Sequence, residues 1–160
     1  MGKASKGLGT WIACAIATGG GAGYAPVAPG TAGTLVAVPI AWALADVTWI
    51  TYGLVVLAIT LGGIACARAA DRAWGTHDSG RIVIDEIAGY LVTMAAVDRH
   101  RPLLLAAGFV LFRVLDIVKP PPAGWIDRRM PGGAGVVLDD VMAGAYGGVL
   151  LWLGQRYLFP

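Results

Sequence analysis

The sequence predicts an all-α fold: a compact multi-helix bundle embedded in or on a membrane, with short apolar helices and a Gly/Pro-rich re-entrant or interfacial loop. Three observations carry this expectation. The chain is 57% hydrophobic and 14% charged, with a mean hydropathy of +0.69, whereas an ordinary soluble domain carries about 25% charge. Apolar runs of helical length alternate with loops rich in glycine and proline, at 19–33, 119–124 and 131–135. Two acidic pairs, Asp85-Glu86 and Asp139-Asp140, each stand directly before an apolar stretch. The 160 residues suffice for one domain with a real core and are too few for two, so residues 1–160 are read as a single domain. A net charge of +2 provides no basic field for nucleic acid. Cys14 and Cys66 make neither a disulfide framework nor a zinc spacing and read as buried small hydrophobes.

The elements follow in chain order. Lys3 and Lys6 before Leu8–Ile12 superficially resemble a secretion signal. The run breaks at Gly19-Gly20-Gly21 without a small-residue cleavage site, so it is read as retained. Residues 9–23 form a glycine-broken segment, re-entrant or interfacial. The loop GGGAGYAPVAPGTAGT, residues 19–34, leads into an apolar helix expected near Thr34 or Leu35. Thr31 and Thr34 are candidate caps and candidate phosphate-binding residues there, because amides at a helix start suit an anion. The loop is not a Walker A motif, since no Gly-Lys-Ser/Thr follows.

From Leu35 to Ala67, 33 residues contain a single charge, Asp46. A helical hairpin turning near 46–51 is expected, with arms of about 16 residues, short against the roughly 20 of an upright span. Further apolar segments are expected at 87–97, at 103–112 running on to Val118, and at 141–153. If the N-terminus, 68–86 and 119–140 share one face, it holds Lys3, Lys6, Arg68, Arg72, Arg81, Lys119, Arg128 and Arg129. The other face keeps Arg99, Arg101 and Arg156. This asymmetry places the first face, with all four doublet carboxylates, on the cytoplasmic side.

The doublets hold four of the ten carboxylates, including the only glutamate. Carboxylates are costly to desolvate unless protonated, paired or coordinated. A hard cation such as Mg²⁺, which takes carboxylate and phosphate oxygens, would explain them. Helix capping is the structural alternative. In FRVLDIVKPPP, residues 112–122, Arg113 and Asp116 share a helix face at i,i+3, and Lys119 repeats the spacing just before Pro120 ends the helix. They form either a structural ion pair or a phosphate-binding Arg and Lys around an orienting Asp. The remaining inventory excludes several phosphatase chemistries. Cys66 to Arg72 spells C-x5-R, but its interior is helix-forming and lacks the glycines of an anion cradle. Two histidines, two serines and no D-x-D leave metal-assisted attack by water or an Asp nucleophile.

The ordered set GYAPVAPGTAGTLVAVP, HDSGRIVIDEIAG, FRVLDIVKPPP and IDRRMPGGAGVVLDDVMAG resembles the phosphatidylglycerophosphatase A family, from about residue 19 to 148. The resemblance implies an all-α, Mg²⁺-dependent phosphatase of the bacterial cytoplasmic (inner) membrane. Such an enzyme converts phosphatidylglycerophosphate, its lipid substrate, to phosphatidylglycerol and inorganic phosphate. It implies Asp85, Glu86, Asp116, Asp139 and Asp140 as acidic site positions, and Arg113 and Lys119 as basic ones. Within that set, Asp85, Glu86, Asp139 and Asp140 are expected to hold the metal. His77 and Asp78 fall on the same pattern. A small cation-coupled transporter, a structural membrane subunit and a phosphatase for another monoester are the rival readings.

Overall fold

The computed structural model describes residues 7–158. Among these residues it is helical throughout: α1 Leu8–Ala17, a 3₁₀ segment Gly19–Tyr24, α2 Pro29–Ala43, α3 Trp49–Trp74, α4 Ile84–Thr93, α5 Pro102–Val118, α6 Ala123–Arg129 and α7 Gly133–Leu158. The hairpin turns at 44–48, where the Thr48 hydroxyl caps α3 by accepting from the Thr51 amide. The glycine-broken segment divides into α1 and the 3₁₀ segment because Gly20 and Gly21 take φ of 69° and 109°, values that suit glycine.

Several boundaries differ from the sequence expectation: the hairpin turn begins just before 46–51, and the segment expected at 87–97 forms a helix over Ile84–Thr93. Helix α2 begins at Pro29 rather than near Thr34, since proline is preorganised for the first helical turn. Helix α3 runs on past the charges at Arg68, Asp71 and Arg72 to reach 26 residues, longer than an arm of the expected hairpin. Helix α7 begins at Gly133, six residues before Asp139.

Helix α4 is the hub. It packs against α2, α3, α5 and α7, and seven of its ten residues are buried, so both flanks and the back of this short helix are core. It crosses α7 at the level of two glycines. A side chain on Gly144 would strike the Gly89 carbonyl, and one on Gly89 would come within 2.7 Å of the Asp140 carbonyl. The Thr93 hydroxyl, 3.1 Å from Gly89 O and 3.2 Å from Gly144 O, fastens the crossing. Small residues that let helices approach to backbone contact are the usual means of packing apolar helices in lipid. Tyr52 and Tyr90 are buried, with hydroxyls donating to the carbonyls of Leu91 and Leu105.

The loops collect at two ends. At one, the Arg99 guanidinium lies over the Tyr52 ring and donates to the carbonyls of Leu44 and Met94. Beside it His100 meets Asp46, and the Asp98 amide donates to Gln155. At the other end lie 28–30, 78–80 and Lys119. This matches the sorting of loops expected from sequence, except that Lys3 and Lys6 lie outside the described residues. The flanks expose large apolar side chains, including Leu54, Leu57 and Leu61 on α3 and Val110, Val114 and Ile117 on α5. Two helices, Trp49–Trp74 and Gly133–Tyr157, are long and apolar enough to cross a membrane.

Candidate active site

Four helices and one loop converge on a cavity of about 290 Å³ at the second end of the bundle. From α4 come Asp85 and Glu86, in its first turn. They are delivered there by the buried lead-in Ile82-Val83-Ile84, pinned where the Val83 amide donates to Ala17 O at 2.9 Å. From α5 come Arg113 and Asp116, one turn apart, and then Lys119, the C-cap, with φ of 46°. From α7 come Asp139 and Asp140, both almost wholly buried. The start of α2 contributes Ala28, Pro29 and Gly30, and the loop before α4 contributes Asp78, Ser79 and Gly80.

The pairing is asymmetric. Arg113 Nη1 donates to Asp116 Oδ2 at 2.6 Å and lies 3.6 Å from Glu86 Oε1. Lys119 Nζ donates to Asp139 Oδ2. Asp85, Glu86 and Asp140 each bring an oxygen into one group whose atoms lie within 4.8 Å of one another. Asp85 Oδ1 and Glu86 Oε2 are buried with no hydrogen-bond partner. Burial, then the neighbouring Glu86 and Asp140, push the Asp85 carboxyl well above the usual carboxylate range. Burial also pushes Glu86 up. Six carboxyls and two cations line the cavity, so an incoming phosphate dianion meets more acids than bases, and further positive charge would favour its entry. A hard divalent cation fits this donor set, because it takes oxygen ligands and satisfies buried lone pairs.

The structure thus brings together all seven acidic and basic site positions expected from sequence. Asp139 takes a different place from the one expected: it faces Lys119, outside the three-carboxylate group. The Asp139-Asp140 doublet also does not open its helix. It lies nearly two turns inside α7, where the dipole of a helix N-terminus no longer accounts for acids. Neither Thr31 nor Thr34 lines the cavity. The Thr34 hydroxyl is buried and donates to Gly30 O at 2.9 Å, bonding back within its own helix. The loop's contribution comes earlier, at Gly30. A side chain there would collide with Glu86 Oε1 and reach 3.0 Å from Arg113 Nη1. His77 is exposed and outside the cavity lining.

The family model for phosphatidylglycerophosphatase A matches residues 15–155. The chain belongs to the phosphatidylglycerophosphatase A family. It is 40% identical over 144 residues to phosphatidylglycerophosphatase A of Escherichia coli K12, covering 89% of this chain and 83% of that one. It is 33% identical over 146 residues to phosphatidylglycerophosphatase A of Haemophilus influenzae Rd, covering 89% and 88%. A Bacteroides thetaiotaomicron protein, provisionally named a phosphatidylinositol-3-phosphatase, is 42% identical over 145 residues, covering 85% and 89%. No solved structure matches. The matched region contains every residue that lines the cavity, so the acids and bases described above belong to the part shared with the phosphatidylglycerophosphatase A family.

Proposed function

We propose that this protein is a membrane-bound, Mg²⁺-dependent phosphoric monoester hydrolase that converts phosphatidylglycerophosphate to phosphatidylglycerol and inorganic phosphate. Family membership supports the reaction. The observation that carries the chemistry is the buried group of Asp85, Glu86 and Asp140 beside Arg113 and Lys119 in one cavity. Asp85, Glu86 and Asp140 would hold the Mg²⁺. Bound there, Mg²⁺ would supply positive charge and polarise a phosphoryl oxygen.

The chain's own residues do the remaining work. Arg113, braced by Asp116 and Glu86, and Lys119 hold the phosphoryl oxygens and offset charge as the bond to the leaving oxygen lengthens. The first turn of α2 adds backbone amides that have no acceptor within the helix. Asp139 lines the cavity but stands outside the three-carboxylate group. It is therefore our assignment for the base that takes a proton from the attacking water. Lys119, its partner, can return a proton to the departing alkoxide. The P–O bond to the lipid breaks, the water oxygen joins phosphorus, and the lipid leaves as an alcohol.

The apolar flanks and the two membrane-length helices support insertion in a bilayer. The Lys/Arg asymmetry supports a cytoplasmic-facing cavity in the bacterial inner membrane. The acids gather at one end of the bundle rather than along a path through it, which argues against the transporter reading.

The similarity to the Bacteroides protein favours one second reading, a phosphoinositide monoester as substrate. Phosphate release should be measured in detergent micelles from phosphatidylglycerophosphate and from phosphatidylinositol 3-phosphate, with Mg²⁺ or chelator, for the native chain and Asp139→Asn. Mg²⁺-dependent release from the first lipid, lost in the variant, is the expected result. Release from the second alone would replace the substrate. Release from neither by folded protein would overturn the reading.

A further inference from the structure

Asp71 is an acid that the mechanism does not use. It lies on the last turns of α3, is 6% exposed, and is outside the cavity lining. Its carboxylate accepts three hydrogen bonds from the loop that follows: from the Thr76 hydroxyl at 2.9 Å, the Asp78 amide at 2.9 Å and the Ser79 amide at 3.1 Å. The Thr76 amide in turn donates to the Asp71 carbonyl. Asp78 is held at φ of 56°, a left-handed conformation that costs a non-glycine residue free energy and persists only when its surroundings enforce it. Those bonds supply the enforcement. Two residues so fixed, Asp78 and Ser79, form one wall of the cavity together with Gly80.

That wall differs chemically from the others. It carries Ser79, the one hydroxyl side chain among the lining residues described, beside Asp78, an acid outside the three-carboxylate group. An anionic side chain there repels a phosphoryl oxygen and accepts from a hydroxyl, while Ser79 can donate or accept. The phosphoryl end of a substrate therefore belongs at Arg113 and Lys119, and a hydroxylated carbon chain belongs at the loop.

We propose that Asp71 is a positioning residue that sets the 76–80 loop so that Asp78 and Ser79 read the hydroxylated part of a phosphomonoester headgroup. This deepens the proposed reading of the site and rests on it for the identity of the reaction. Asp71→Asn replaces an acceptor for the Asp78 or Ser79 amide with a donor at nearly constant volume. Thr76→Val removes one of the three bonds and lies outside the cavity.

The test has two parts. Hydrogen exchange of residues 76–80 reports the clamp, and both variants should exchange faster there, Asp71→Asn more so, with α4 and α7 unchanged. Kinetics on phosphatidylglycerophosphate report its use. KM should rise about tenfold or more in Asp71→Asn and less in Thr76→Val, with kcat changing little, a split that uniform loss of ground-state binding produces. Inhibition should follow suit, with glycerol 3-phosphate weakened and inorganic phosphate unchanged.

A loosened loop with unchanged KM and unchanged inhibition would overturn the proposal, as would equal weakening of both inhibitors. Should Asp71→Asn not fold, Thr76→Val is judged by the same criteria. If the native chain releases no phosphate, the proposed reaction fails instead. Calorimetric binding of glycerol 3-phosphate against inorganic phosphate, with the same two variants, then decides the role of the loop.

Discussion

Arg113 Nη1 stands 3.6 Å from Glu86 Oε1 while donating to Asp116 at 2.6 Å, so one guanidinium joins the acid of α4 to the acid of its own helix. The three side chains are largely buried, where a planar guanidinium and a lysine ammonium are not interchangeable. Arg113→Lys should keep the fold and lower kcat/KM by about 10- to 100-fold. Arg113→Met leaves two buried carboxylates without their cation and should cost roughly 3–5 kcal/mol. Phosphate release and denaturant unfolding in detergent check the two expectations separately.

Gly30 touches the same pair from α2. A methyl group there would meet Glu86 and Arg113 and could be admitted only by moving one of them. Gly30→Ala should therefore lower activity by about 100-fold at a stability cost of about 1–3 kcal/mol. Circular dichroism should remain helical. Unaltered turnover would mean that Glu86 and Arg113 need not hold these positions for catalysis.

The three-carboxylate group makes opposite demands on stability and on metal binding. Asp140→Asn removes one of three crowded acids, so in chelator the variant should be at least as stable as the native chain. The native chain should gain stability with Mg²⁺, by about 2.7 kcal/mol at a hundredfold excess over Kd, and the variant should gain little. Thermal unfolding with and without Mg²⁺ reads both. An equal Mg²⁺ shift in the two proteins would place the cation elsewhere.

A dependence on pH follows from Asp85 and Glu86. Burial raises both carboxyls above their ordinary values of 3.8 and 4.5, so over the interval above those values the folded state binds more protons than the unfolded state. Stability then falls as pH rises through that interval. In chelator the protein should unfold more readily at about pH 8 than at about pH 5. Mg²⁺ should reduce the difference, because coordination favours the deprotonated ligands. Melting curves at the two values, with and without the cation, are the measurement.

Much of the architecture was legible because apolar runs and glycine-proline loops report helix and turn directly. The hairpin, expected to turn near 46–51 and found to turn at 44–48, and the set of site acids and bases followed from local sequence. The start of α7 did not, because Gly132-Gly133 reads as a loop in isolation. In the fold Gly133 lies so close to the Ile64 carbonyl that a side chain would strike it, and tertiary contact overrides the helix-breaking tendency. Thr34 was misleading for a related reason, since a threonine near a helix start reads as a cap until the true start, Pro29, is known. Asp71 carried no local signal. It sits in a helix-forming stretch, and its partners are revealed only when the chain turns at Gly75.

The crossing of Gly89 and Gly144 has a consequence for the spacing of the acids around the cavity. Backbone meets backbone there, one turn from both Glu86 and Asp140, so the spacing between the acids of α4 and α7 is set by main chain rather than by flexible side chains. A gauge of that kind cannot widen cheaply. A cation held by these acids, as proposed, would have to take its oxygens at the separation the two backbones allow. The glycine crossing is thus a fixed ruler laid between two sets of acids.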